Sequence, residues 1–148
     1  MKLTKQVRAR VIMAAQAEAQ RRGDRRLGTE HLLLGVLHER EATEALGVDL
    51  LTARAALDAL DRAALAAVGL DVGDFLPATS PAATKRPPLT TAARAALLRA
   101  IKPAGKVSHP DAKQFVLALL ACQRPDPAAD LLLQLNVDVV AVRDRLRP

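Results

Sequence analysis

The segment Leu27-Gly28-Thr29-Glu30-His31-Leu32-Leu33-Leu34-Gly35-Val36-Leu37 carries several helix signals in succession. Thr29 follows Gly28 and a charged run from Arg21 to Arg26. A threonine there is a good N-cap, because its hydroxyl accepts a bond from an orphan backbone N–H. Glu30 falls in the first turn, where negative charge suits the helix dipole. Leu32, Leu33, Val36 and Leu37 recur at three- and four-residue spacing, and Leu34 adds apolar surface between them. A helix apolar nearly all round belongs at the centre of a fold rather than at its surface. Gly35 costs about 1 kcal/mol against alanine in a helix interior, so a close helix–helix approach is expected at that point.

The flanking segments read as helices too. Thr4 is expected to cap a first helix running to about Gln20, with Val7, Val11, Ala14 and Ala15 as its apolar stripe. A short helix around Glu41 to Leu46 should stop at Gly47, a natural C′ residue. Asp49 is expected to cap a fourth helix, with Leu50, Leu51, Ala53, Leu57 and Leu60 on its apolar side and its end near Val68. From Gly69 to Pro88 the prolines and glycines break any helix, which marks a linker. Leu70, Phe75 and Leu76 are its residues suited to packing on a neighbouring helix.

After the linker the pattern returns. Leu89-Thr90 echoes Leu3-Thr4, Arg94-Ala95 echoes Arg8-Ala9, and Leu97-Leu98 echoes Val11-Ile12. Phe115 to Leu120 stands where the first half has its leucine-rich helix. Leu135-Asn136-Val137-Asp138-Val139 echoes Leu46-Gly47-Val48-Asp49-Leu50, and Arg143 and Leu146 echo Arg54 and Leu57. An internal repeat of this length implies two related structural units. The expected organisation is therefore residues 1–68, a linker over 69–88, and residues 89–148, forming one compact body. In the second unit Pro110 suits the first turn of a helix capped by Ser108 or His109.

Composition agrees with an all-α fold. Half of the 148 residues are hydrophobic, supplied mostly by Ala and Leu, with two Phe and neither Trp nor Tyr. Ala and Leu favour helix, and strand-favouring aromatics are scarce. A chain of this length buries roughly 68–70% of its unfolded surface, enough for a core without staples. Cys122 is the single cysteine, so no internal disulfide is expected, which fits a reducing compartment. No apolar run approaches the roughly 20 residues needed to cross a bilayer, and the first 20 residues lack a signal-peptide apolar core. The expected location is cytoplasmic.

Catalytic patterns are missing. The chain has no Gly-rich phosphate loop ending in Lys-Ser or Lys-Thr. His31 and His38 share a helix face but lie roughly 10 Å apart at 1.5 Å per residue, too far to share one metal. His31, beside Thr29 and Glu30, reads as a hydrogen-bonded helix-end residue. Glu39 and Glu41 flank Arg40 on a charged surface turn, and Cys122 reads as a buried structural thiol. Neither an enzyme nor a metal or other cofactor is expected.

Gly28 to Leu37, together with Leu3-Thr4, Arg8-Ala9-Arg10 and Leu46-Gly47-Val48-Asp49-Leu50, resembles the Clp N-terminal domain. That is the helical double repeat at the front of ClpA- and ClpC-type AAA+ unfoldases, here without the ATPase module. The resemblance implies an all-α fold of two tandem four-helix repeats related by a pseudo-twofold. The second repeat is degenerate, since Ser108-His109-Pro110-Asp111 replaces Gly-Thr-Glu-His. The resemblance also implies a protein-binding role, as adaptor, substrate-recognition domain or decoy. The partners it implies are clients, adaptors or a Clp ATPase, including phosphoarginine-marked proteins or peptide-like ligands. If the two units pack about a dyad, the starts of their first helices flank a groove made of Leu3, Thr4, Arg8 and Ile12 from one unit and Leu89, Thr90 and Arg94 from the other. Leu3 and Leu89 also stand where a hydrophobic staple is common. By resemblance, Thr4 and Glu30 match the residues that hold phosphoarginine in ClpC relatives. Phosphate suits a helix start and a guanidinium suits a carboxylate. The formal charge of +6 leaves a nucleic-acid-binding regulator as the alternative, although no aromatics are available to stack on bases.

Overall fold

The computed structural model describes residues 2–69, 87–102 and 110–147, with side chains from Gln6 onward. The described residues form eight helices and no strand: α1 (Lys2–Arg22), α2 (Thr29–Val36), α3 (Arg40–Leu46), α4 (Leu50–Ala67), α5 (Thr91–Ile101), α6 (Ala112–Leu120), α7 (Pro127–Gln134) and α8 (Val139–Leu146). The fold is all-α.

The leucine-rich helix α2 lies at the centre, as its pattern requires. Every residue from His31 to Leu37 is buried, and α2 packs on α1, α4, α5, α6 and α7. Burying a Leu or Val side chain contributes about 1.5–3 kcal/mol relative to exposure, so Leu32, Leu33, Leu34, Val36 and Leu37 anchor the core. Gly35 is explained by α1. A Cβ there would lie 2.7 Å from the Val11 carbonyl oxygen and 2.8 Å from the Ala15 nitrogen. Both are backbone atoms on the buried face of α1, so nothing larger than glycine fits.

The packing repeats under exchange of the first four helices with the last four. Contact of α1 with α2 corresponds to α5 with α6, α2 with α4 to α6 with α8, α2 with α7 to α6 with α3, and α4 with α7 to α8 with α3. The central pair α2 and α6 maps onto itself. This reciprocity is the pseudo-twofold.

Helix ends follow local chemistry. Gly47 adopts the left-handed conformation (φ 71°) that stops α3. Asn136, its counterpart in the second unit, adopts φ 57°, a conformation Asn tolerates better than most residues. Asp49 accepts the Thr52 N–H at 2.7 Å and caps α4. In the second unit Thr90, Asp111, Asp126 and Asp138 cap α5 to α8 with their side chains.

Three expected caps differ. α1 begins at Lys2, because Lys2 and Leu3 carry no helix breaker, so Thr4 lies within the first turn instead of capping it. The N-cap of α2 is Gly28 rather than Thr29. The N-cap of α6 is Asp111 rather than Ser108 or His109, and Pro110 precedes the helix. Asp111 and Gln114 form a reciprocal capping box there, which satisfies two orphan backbone N–H groups at once. Ser108, His109, Leu70, Phe75 and Leu76 lie outside the described residues.

Candidate functional site

Two backbone bonds join the halves. The Leu27 N–H donates to Pro88 O at 2.9 Å, and the Thr90 N–H donates to Leu27 O at 3.0 Å. This parallel bridge between Leu27 and Leu89 sets the start of α5 beside the start of α2. Thr29 adds a third tie. Its buried hydroxyl donates to Asp126 and accepts the Ala128 N–H at 3.1 Å. The threonine expected to cap its own helix therefore secures the start of α7 across the seam. Nothing in local sequence announces that role, because its partners lie about a hundred residues away.

With Thr29 turned to α7, His31 closes the start of α2. Its Nδ1 accepts the Gly28 N–H at 2.9 Å, so Nε2 carries the proton and donates to Asp24 at 2.7 Å. His31 is the hydrogen-bonded helix-end residue that its context indicates. Asp24 also meets Arg22 at 3.0 Å. Burial works to raise the Asp24 pKa, but His31 and Arg22 outweigh it and hold the carboxyl below its ordinary value. Arg22, only 10% exposed, also bonds Asp58 at 2.7 Å and Asp61, which ties α1 to α4.

Arg22, Asp24, Thr29, His31 and Asp61 line a cavity of about 520 Å³ at the seam, together with Arg25, Arg26, Gly28, Glu30, Thr90, Ala92 and Pro127. The starts of α2, α5 and α7 converge on it. The Glu30 carboxylate folds back over its own helix start, where it accepts its own backbone N–H. A Cβ on Gly28 would meet the end of this side chain, so a larger residue there would require Glu30 to move aside. Burial raises the Glu30 pKa.

The cavity separates one expected pair and assembles another. Thr4 and Glu30 do not share a site. α1 packs antiparallel to α2, with Gly35 against Val11 and Ala15 and with His31 beside Asp24. Glu30 therefore lies at the Arg22 end of α1. Thr4 lies at the other end of this 21-residue helix, about 27 Å away at 1.5 Å per residue. Thr90 stands with Glu30 instead. The position of the second unit that corresponds to Glu30, two residues past the N-cap, is Lys113.

The other groove candidates divide. The side chains of Leu3 and Thr4 lie outside the described residues. Arg8 is half-buried, and Ile12 and Leu89 are half-buried against the core. Arg94 is exposed one turn along α5 from Thr90. Met13 on α1 and Leu98 on α5 are exposed apolar residues, 67% and 50% accessible.

One polar feature escaped the sequence reading. Glu18 is 2% exposed in the first-unit core. Arg54 grips it with two bonds of 2.8 and 2.6 Å, and His38 Nε2 lies 3.4 Å away. Burial alone would raise the Glu18 pKa, but Arg54 outweighs it and the net shift is downward. The hint in the sequence is a lone acidic residue on an alanine-rich helix face. Cys122 is half-buried, and burial pushes its thiol up to about 11, which keeps it from acting as a nucleophile.

Among the described residues no cluster of His, Cys, Asp or Glu could hold a metal ion. Among them also, no helix is long and apolar enough to cross a membrane. The family model for the Clp repeat (R) N-terminal domain matches residues 2–109, from the start of α1 through α5. Helices α6 to α8 follow beyond the match and complete the second set of four. With a match over most of its length, and with reciprocal four-helix units packed about α2 and α6, the chain belongs to the Clp repeat (R) N-terminal domain family, a class of protein-interaction modules of the Clp system.

Proposed function

We propose that the chain is a non-enzymatic binding module that docks client or adaptor polypeptides for a ClpC-type unfoldase. In this reading it works in the cytoplasm as an adaptor, a substrate-recognition domain or a decoy that occupies ligands otherwise bound by the unfoldase. The units 1–68 and 89–148, joined through 69–88, act as one binding body. The observation that carries the reading is the seam cavity, where Glu30 of the first unit and Thr90 of the second meet. A cavity of about 520 Å³ accepts one or two side chains of a docked polypeptide. The faces bearing Leu3, Thr4, Arg8 and Ile12 on α1, and Leu89, Thr90 and Arg94 on α5, extend the contact along the peptide. Phosphoarginine-marked clients are among the partners to be tested.

Affinity capture with the purified protein tests this directly. Recovery of a Clp ATPase, its adaptors or its clients is the expected result. Leu89→Ala and Arg94→Glu should reduce that recovery with helicity intact by circular dichroism. Recovery of nucleic acid alone, with an affinity that falls steeply with salt, would overturn the reading in favour of a nucleic-acid-binding regulator.

A further inference from the structure

The starts of α2 and α6 each satisfy the N–H of their N-cap residue with the third residue of the helix, but with different chemistry. In α6 the acceptor is the Gln114 side-chain oxygen, which takes the Asp111 N–H at 2.9 Å. In α2 it is His31 Nδ1, which takes the Gly28 N–H at 2.9 Å. An amide keeps its acceptor at every pH. An imidazole keeps one only while it is neutral, because both ring nitrogens are donors in the protonated form. The Gly28 N–H is buried and bonds no other acceptor among the described residues. His31 therefore cannot take up a proton and keep this bond.

A second arrangement stands within reach of the same ring. Nε2 already donates to Asp24 at 2.7 Å, and Glu30 Oε1 lies 3.6 Å from Nδ1. A movement of less than about 1 Å would bring that oxygen to the length of a charge-assisted bond. The other charges around the ring come from its neighbours. Helix α1 brings Arg22, which holds Asp24, and α4 brings Asp58 and Asp61, both held by Arg22. The loop brings Arg25 and Arg26 to the cavity. The α7 cap Asp126 is bonded to Thr29. Helix α5 and its cap contribute Thr90 and Ala92 to the cavity lining, and α6 contributes nothing to it. A neutral ring keeps the Gly28 bond, and a charged ring meets two carboxylates.

We propose that His31 is a proton-operated switch at the seam cavity. Neutral, it caps α2 and leaves the Glu30 carboxylate at the cavity wall. Protonated from solvent, it releases the Gly28 N–H and draws the Glu30 carboxylate onto its Nδ1–H. Glu30 is the lining carboxylate that Arg22 does not bond, so the switch changes the charge presented by the cavity. Asp24 stays ionised throughout: burial works to raise its pKa, but His31 and Arg22 hold the carboxyl below its ordinary value. The second unit has no such switch at α6, where Gln114 stands in the place of His31. The inference concerns the cavity itself and holds whichever polypeptide the module docks.

The test is a proton titration of the full chain followed by NMR from about pH 8 to about pH 5, the interval in which an imidazole changes charge. At the alkaline end the ring nitrogen shifts of His31 should show Nδ1 bare and Nε2 protonated. On acidification the Gly28 amide and the Glu30 side-chain carboxyl carbon should shift with the same midpoint as His31 Nδ1, while the Asp111 amide stays still. His31→Gln, which installs the acceptor that α6 uses, should abolish the Gly28 step. Glu30→Gln should keep it. Burial raises the Glu30 pKa, and this variant removes that titration while leaving Nδ1 in place. A proton on Nδ1 at the alkaline end, a Gly28 amide that stays still while His31 titrates, or an equal step at Asp111 would overturn the inference. So would a Gly28 step that survives in His31→Gln or vanishes in Glu30→Gln.

Discussion

The starts of α2 and α6 occupy equivalent places in the two units, yet they use their residues differently. At α6 the helix end satisfies itself: Asp111 takes the Gln114 N–H and Gln114 takes the Asp111 N–H, both at 2.9 Å. Lys113 is left exposed and Ala112 is buried. At α2 the N-cap is glycine, which has no side chain to offer. Thr29 is thereby free to bond α7, His31 to bond Asp24, and Glu30 to line the cavity. The buried polar residues among those described, Glu18, Thr29 and His31, all belong to the first unit. In the second unit all four helices carry side-chain caps; of α2, α3 and α4 in the first, α4 alone does. The α6 start, capped by its own Asp111 and Gln114, keeps those two side chains for itself. A start that leaves its cap to glycine spends its side chains on the seam and the site.

The largest test of this contrast uses the paired arginines. Arg54 holds the buried Glu18 carboxylate, while its counterpart Arg143 donates to the Leu120 carbonyl at 2.9 Å. Arg54→Ala should cost about 3–5 kcal/mol, because it strands a buried charge. Arg143→Ala should cost about 1 kcal/mol. Urea unfolding at pH 7 measures both, and equal losses would break the contrast. The pH dependence has a definite sign. Glu18 sits below its ordinary pKa in the fold, so its contribution is complete above the unfolded value of about 4.3 and is lost as pH falls through the lower folded value. The Arg54→Ala deficit should therefore shrink in acid.

Next comes the helix crossing. Gly35→Val drives a side chain into the Val11 and Ala15 backbone and should cost about 3 kcal/mol. Counting from the N-caps, the matching position in α6 is the buried Ala118, where Ala118→Gly should cost about 1–2 kcal/mol through helix propensity and the loss of a buried methyl. Thermal melts of the two variants would rank them.

A smaller effect probes the seam. Thr29→Val keeps the shape but removes the bonds to Asp126 and Ala128, for a loss of about 1–2 kcal/mol. Hydrogen exchange at the Ala128 amide should quicken more than exchange within α2. Protection lost equally in both helices would mean that Thr29 supports its own helix rather than the seam. The smallest effect concerns the left-handed turns. Gly47→Ala should cost about 1 kcal/mol, while Asn136→Gly should stay within about 0.5 kcal/mol of the parent protein by the same melts.

Much of the fold was written locally. The apolar runs of Leu32 to Leu37 and Phe115 to Leu120 determined the central helices. Gly47 and Asp49 determined the turn between α3 and α4, because a left-handed stop and a carboxylate cap each act within a few residues. Gly35 announced a close crossing by its cost alone. The echo of Leu46-Gly47-Val48-Asp49 in Leu135-Asn136-Val137-Asp138 revealed the second unit although the family match ends at residue 109.

The site was another matter. Thr29 and Thr4 both carry the local signature of an N-cap, and propensity cannot say that a competing partner exists. Asp126 and the Ala128 N–H reach Thr29 only once α7 packs on α2. Local spacing likewise could not tell that the antiparallel packing of α1 on α2 sends Thr4 about 27 Å from Glu30 and brings Thr90 there instead. Sequence determined which residues were available to a site, because helix type, caps and periodicity are short-range properties. Tertiary structure alone decided which of them meet, because the pseudo-twofold exchanges neighbours between the two units, and that exchange leaves no short-range trace.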